Sequence, residues 1–184
     1  MNQEALYAVW ILTKAGQCTA KTYKALKAFP SFRAVYQAKA EDFDRSVFSL
    51  EETVPFLDKD TRQAEACLAE CRQKNIGIVT FYDENYPRQL RLIEQPPLVL
   101  FVRGTLPETD TNPSLTVVGS RQCSMNAKKF TFNITRELAL CNFVIVSGVA
   151  QGVDTYAQKG VLCTHRPNIA VVPCGIDIDY STAS

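Results

Sequence analysis

The stretch from Leu115 to Asp154 limits what this chain can fold into more than any other. It reads Leu-Thr-Val-Val-Gly-Ser-Arg, then a helix-compatible run, then Phe-Val-Ile-Val-Ser-Gly-Val-Ala-Gln-Gly-Val-Asp. Each β-branched run ends in a small-residue turn, and each turn leads into a helix-compatible segment. That is the pattern of a βαβα unit in a parallel sheet. Ligands of such sheets sit beyond the carboxyl ends of the strands. Gly119-Ser120-Arg121, and Ser147-Gly148 with Gln151-Gly152, fall at those ends, so a site is expected there.

The chemistry of the two turns suits phosphate. Glycine after a strand allows tight turns and close approach of a ligand to the backbone. The helix that follows presents free N–H groups and a partial positive charge. Arg121 adds a guanidinium able to hold a phosphate with two parallel hydrogen bonds. No acidic residue occurs from Thr111 to Arg136, whereas Arg121, Lys128, Lys129 and Arg136 do. The second turn offers the Ser147 hydroxyl and the amides around Gly148 and Gly152. Asp154 is placed either to cap the next helix or to orient Arg121. The competing reading is that the glycines serve turn geometry alone and the lysines form a solvated helix face.

Around this unit the chain divides by pattern. Residues Asn2 to Arg72 read as helical, with Leu6, Val9, Trp10 and Thr13 on one face, then Tyr23, Leu26 and Lys27, a short helix over Phe32 to Gln37 and a last one over Asp58 to Gln73. Ten basic and ten acidic residues make this part neutral. It is expected to be a small helical module over residues 1–73, similar to sterile-α-motif or helix–hairpin–helix domains, although the glycine hairpin of the latter is absent. At Asn75 the period changes. Ile76 to Phe81 and Leu98 to Val102 read as strands separated by Tyr86-Pro87, a polar segment from Arg88 to Arg91, and Pro96-Pro97. Strands over Leu115 to Val118, Phe143 to Val146 and Ile169 to Val172 follow. Between them lie a helix starting after Ser124, with Ala127, Phe130, Ile134, Leu138 and Cys141 as its buried stripe, and another over Val153 to Leu162. Residues 74–184 are thus expected to form an α/β domain with a mostly parallel sheet.

Composition excludes several classes. A net charge of +1 means that any nucleic-acid role depends on local charge placement. No run is long and apolar enough to span a bilayer, and the N-terminus lacks a secretory pattern. Seven scattered cysteines without such a signal point to reduced cytoplasmic thiols. Cys67 with Cys71, or Cys163 with His165, fails to complete a set of metal ligands; His165 reads as a loop histidine. Asp177 and Asp179 are a carboxylate pair without an acid–base partner. No Gly-x-Gly-x-x-Gly, P-loop, nucleophile elbow or HExxH occurs, so no cofactor or catalytic residue is expected.

Taken in order, Tyr86-Pro87, Pro96-Pro97, Phe101-Val102-Arg103-Gly104, Val118-Gly119-Ser120-Arg121, Ser147-Gly148-Val149-Ala150-Gln151-Gly152-Val153-Asp154 and Cys174-Gly175-Ile176-Asp177 resemble the bacterial DprA/Smf family, the DNA-processing proteins of natural transformation. The resemblance runs from Ile76 to Tyr180. It implies a non-enzymatic protein that binds single-stranded DNA on a Rossmann-like domain, loads the RecA recombinase and helps displace single-strand-binding protein. The DNA-binding residues implied are Gly119, Ser120, Arg121, Lys128, Ser147, Gly148, Gln151 and Gly152. A phosphate pocket reads a strand without demanding a base sequence.

The departures from the family pattern are specific. Family members usually carry arginine at the place of Gln151, histidine at Gln158, glycine at Asn126 and an aromatic residue at Met125, and proline instead of serine after Tyr180. They also continue through further strands and helices that carry more DNA contacts and the dimer and RecA surfaces. The chain is therefore expected to be the front portion of such a protein, with an exposed sheet edge, lower stability than a full-length relative, and homodimer formation in doubt. Two other functions compete with DNA binding: an inactive remnant or interaction module, and a nucleotide-binding hydrolase of the Rossmann type. The hydrolase would need a Pro-Gly-Gly-x-Gly-Thr motif, which this sequence lacks.

Overall fold

A computed structural model describes residues 3–17 and 19–178. Cys18, Asp179 and Tyr180, which figure in the sequence reading, lie outside the described residues. The chain divides into two compact units, Met1–Gly104 and Thr105–Ser184.

The first unit contains helices α1 (Gln3–Ala15), α2 (Ala20–Ala28), α3 (Phe32–Gln37), α4 (Leu50–Leu57), α5 (Arg62–Gln73) and the short α6 (Arg88–Arg91), with strands β1 (Ile76–Thr80) and β2 (Val99–Arg103). Trp10 is fully buried at its centre, edge-on to Tyr36 at 5.0 Å and tilted against Phe56 at 6.4 Å. Its indole N–H donates to the Asp58 carbonyl at 3.1 Å, which satisfies the one polar atom of the side chain. The Lys59 ammonium closes the same cluster. It donates to the Phe56 and Ala38 carbonyls at 2.7 and 2.9 Å and lies 5.3 Å from the centre of the Trp10 ring. Burial holds the Lys59 pKa below its ordinary value.

One expectation for this unit needs correction. The buried face of α2 is Thr22 and Ala25, not Tyr23 and Leu26, which are partly exposed. Helix α4, which holds Pro55, lies in the stretch read as helical but was not singled out as a helix. A Ser49–Glu52 capping box starts the helix despite the proline.

The helix-to-strand change at Asn75 is where β1 begins, in left-handed backbone at φ +52°. The compact unit nevertheless runs on to Gly104. β1 and β2 form an antiparallel pair, from Ile76 opposite Arg103 to Thr80 opposite Val99. Leu98 and Val99 are buried in one cluster with Leu6, Val9 and Trp10. These two strands therefore belong to a ribbon packed on helices and not to the parallel sheet.

The second unit is the α/β part. β3 (Ser114–Thr116), β4 (Val144–Ser147) and β5 (Asn168–Ala170) form a parallel sheet in the order β3-β4-β5, with α7 (Met125–Leu140) and α8 (Val153–Leu162) between successive strands. Ser114 pairs with Val144, and Ile145 with Asn168. Ser124 caps α7 as expected, accepting the Ala127 amide at 3.2 Å.

The buried stripe of α7 differs from the expected one. Thr131, Thr135 and Ala139 are buried, while Phe130 is 69% exposed and Ile134 and Cys141 are also exposed. The buried face is turned by one residue, about 100°. The reason lies on α8. A Cβ on Gly160 would collide with the Thr135 hydroxyl and the Phe132 carbonyl, so the two helices meet through small residues. The Thr135 hydroxyl donates to the Thr131 carbonyl at 2.9 Å, which removes the cost of burying it.

Candidate functional site

Two turns at the carboxyl ends of β3 and β4 are joined through their backbones. The Val153 amide donates to the Ser120 carbonyl at 3.2 Å. Gly152 caps α8 at φ +87°, ψ −131°, and a Cβ there would strike the Ser120 and Arg121 carbonyls. That backbone region is open essentially to glycine alone. Gly119 is held against Val153, whose Cγ2 would lie 2.7 Å from an added Cβ. Gly148 faces Asp154, whose Oδ2 would lie 2.5 Å from one. Three glycines thus set how closely the turns approach.

The polar side chains have distinct tasks. The Ser147 hydroxyl donates to the Val117 carbonyl at 2.7 Å and is buried, so it locks β4 to the chain leaving β3 and does not face a ligand. The Ser120 hydroxyl donates to the Gln122 carbonyl at 2.7 Å and accepts the Gln122 amide at 3.2 Å, shaping its own turn. The Gln158 amide group donates to the Ser147, Gly148 and Ile169 carbonyls at 3.2 to 3.4 Å, and its oxygen accepts from Asn168. It therefore ties the ends of β4 and β5. Thr155 fixes the second turn by donating to the Ala150 carbonyl at 2.8 Å.

Between the turns lies a cleft of about 270 Å³ lined by Arg121, Gly148, Val149, Ala150, Asp154 and the Val171–Pro173 segment. Arg121 is exposed, and among the described residues nothing accepts a hydrogen bond from its guanidinium. Gln151 is exposed on the turn itself. The first-turn amides of Asp154 and Thr155 have no carbonyl partner within α8. Asp154 is buried with its Oδ1 unpaired, neither capping α8 nor bonded to Arg121. The unpaired Arg121 guanidinium and the first-turn amides of α8 can donate to an anion, against the opposing charge of the Asp154 carboxylate in the same lining.

Lys128, named from the sequence, lies on the neighbouring surface of α7. Its ammonium is 5.7 Å from the centre of the Tyr156 ring, and Lys159 is 5.4 Å from the same ring. Tyr156 and Lys159 were not singled out from the sequence. Their i, i+3 spacing directly after the glycine turn was the available signal. Lys129 is exposed and Arg136 pairs with the adjacent Glu137, so these two basic residues do not converge on the cleft. His165 is an exposed loop residue at φ +56°. Among the described residues no group of His, Cys, Asp and Glu could hold a metal ion, and no helix is long and apolar enough to cross a membrane.

This fold and site define an α/β protein with a Rossmann-like parallel sheet and a cleft at the turns that follow two of its strands. The chain belongs to the DNA recombination-mediator protein A family, which matches residues 77–184. It is 35% identical over 116 residues to protein Smf of Synechocystis, covering 61% of this chain and 29% of that protein. It is 37% identical over 102 residues to the DNA processing protein DprA of Streptococcus pneumoniae, covering 55% and 36%. The chain spans about a third of the length of these relatives. Among solved structures, it is similar to the X-ray structure of S. pneumoniae DprA, with a TM-score of 0.70 and 29% identity over 97% of this chain and 61% of that one. It is also similar to the Helicobacter pylori DprA, whose structure is described for its single-stranded DNA binding mode, with a TM-score of 0.50 and 34% identity over 58% and 47%.

Proposed function

We propose that this chain binds single-stranded DNA through the two joined turns, as part of DNA processing in natural transformation. The observation that carries the reading is the unpaired, exposed Arg121 at a cleft whose other wall is a glycine turn and a helix N-terminus. Arg121 takes a backbone phosphate, and the Asp154 and Thr155 amides add donors to it. Gly119, Gly148 and Gly152 let the two turns pack together, while Ser120 and Ser147 hold the loops in place. Binding of this kind is electrostatic and indifferent to sequence. The family resemblance implies handing of the strand to RecA, and it implies pairing with a second copy for full-length relatives only. It also implies a cytoplasmic location and a role without catalysis.

Fluorescence anisotropy with labelled oligothymidine, at several salt concentrations, tests the reading. Log affinity should fall linearly with log salt, and Arg121→Ala should weaken binding about tenfold and lower the slope by about one. Equal affinity of the two proteins removes Arg121 from the interface.

One observation favours a second reading, an interaction module. Val118, Met125, Phe130, Leu162 and Val171 of the second unit are all more than half exposed. Single surface apolar residues are ordinary, but several on one small unit suit a protein contact. Absence of any oligothymidine binding at low salt would support this reading over the first.

A further inference from the structure

Tyr156 sits one helical turn from Gly152, whose carbonyl accepts the Tyr156 amide at 3.2 Å. Gly152 in turn packs on the backbone of Ser120 and Arg121. One turn advances about 5.4 Å, so the Tyr156 backbone lies one turn along α8 from the glycine that packs on the Arg121 turn. Its ring is partly exposed, and two ammonium groups from different helices, Lys128 and Lys159, stand over it at 5.7 and 5.4 Å. Neither lysine forms an ion pair among the described residues.

We propose that the Lys128–Tyr156–Lys159 cluster is a second nucleotide subsite, in which a nucleobase stacks on the Tyr156 ring and the two lysines turn outward to the flanking phosphates. The inference rests on the reading of Arg121 as a phosphate ligand and extends it by one step along the strand. The physical basis is an exchange. An ammonium over an exposed ring is weakly held, because water competes for the charge. A base stacked on the same ring is held more strongly and has a π-face whatever its identity. Each ammonium displaced by the base gains a phosphate in place of a ring, a stronger partner for a compact charge. One aromatic ring and two cations therefore provide a stacking platform and an electrostatic track together. The arrangement also places positive charge next to the turn where Gln151 contributes none.

The test compares an oligothymidine with an abasic oligonucleotide of equal length, measured by anisotropy on the whole chain. Tyr156→Leu, which keeps an apolar side chain of similar reach, should weaken oligothymidine binding about tenfold and leave the abasic strand unaffected. Tyr156→Phe should restore the lost oligothymidine affinity. Lys128→Gln with Lys159→Gln should weaken both strands equally and lower the salt slope by about two. A Tyr156→Leu protein that loses both strands equally, or neither, overturns the stacking role. If the unaltered chain binds neither strand, the Arg121 reading itself fails, and the subsite with it. Circular dichroism of each variant separates loss of folding from loss of stacking.

Discussion

The Val153 amide and the Ser120 carbonyl are joined at 3.2 Å, which fastens the start of α8 to the turn that carries Arg121. Gly152 makes this contact possible, because any side chain there would meet the Ser120 and Arg121 carbonyls. Gly152→Ala should therefore separate the two turns. Backbone strain at φ +87° and the collision together should cost at least about 2 kcal/mol. Thermal melting and DNA affinity should fall together. A variant that binds oligothymidine normally would show that the joined turns do not matter to the site.

Gln151 offers the converse experiment. It is exposed on the second turn, at the position where the family resemblance implies arginine. Gln151→Arg should raise single-strand affinity and steepen the salt dependence by about one. An unchanged slope at several salt concentrations would place position 151 off the DNA path.

The contact between α7 and α8 depends on Gly160. Gly160→Ala would force a methyl group against the Thr135 hydroxyl and the Phe132 carbonyl. The gain in helix propensity, up to about 1 kcal/mol, is smaller than the overpacking cost of about 1–3 kcal/mol. The variant should thus melt at a lower temperature, and a rise would mean that the helices can part without penalty.

How much of this was legible in the sequence depended on whether the cause was local. Ser124 as a cap, the span of α8 and the position of both turns follow from chemistry within a few residues, and each was readable. The buried face of α7 was not. Periodicity favoured the large apolar residues Phe130 and Ile134, but the partner helix presents Gly160 and Ala157, so the packing selects Thr131 and Thr135 instead. The antiparallel pairing of β1 with β2 was hidden for the same reason, since an apolar strand does not state its partner. At the site, the sequence located Arg121 but could not show that the Ser147 hydroxyl was already committed to Val117. Tyr156 went unnoticed because its significance comes from Lys128, on another helix.

In the helical unit, Asp58 links acidity to folding. Its carboxylate accepts the Lys14 ammonium at 2.6 Å and its carbonyl accepts the Trp10 indole at 3.1 Å. The Lys14 hydrogen bond, with the Asp60 amide, holds the Asp58 carboxyl below its ordinary value of 3.8. A carboxyl whose folded pKa is depressed contributes stability that is present above the unfolded value and is lost as pH falls through the folded one. The helical unit should therefore weaken as pH drops from about 3.8 downward, and Lys14→Met should flatten the Asp58 part of that fall. Trp10 is the one tryptophan of the chain and is fully buried in this unit, so its fluorescence reports the unit's melting separately. Identical pH dependence of the tryptophan melt in the two proteins would show that the Lys14–Asp58 pair does not couple protonation to folding.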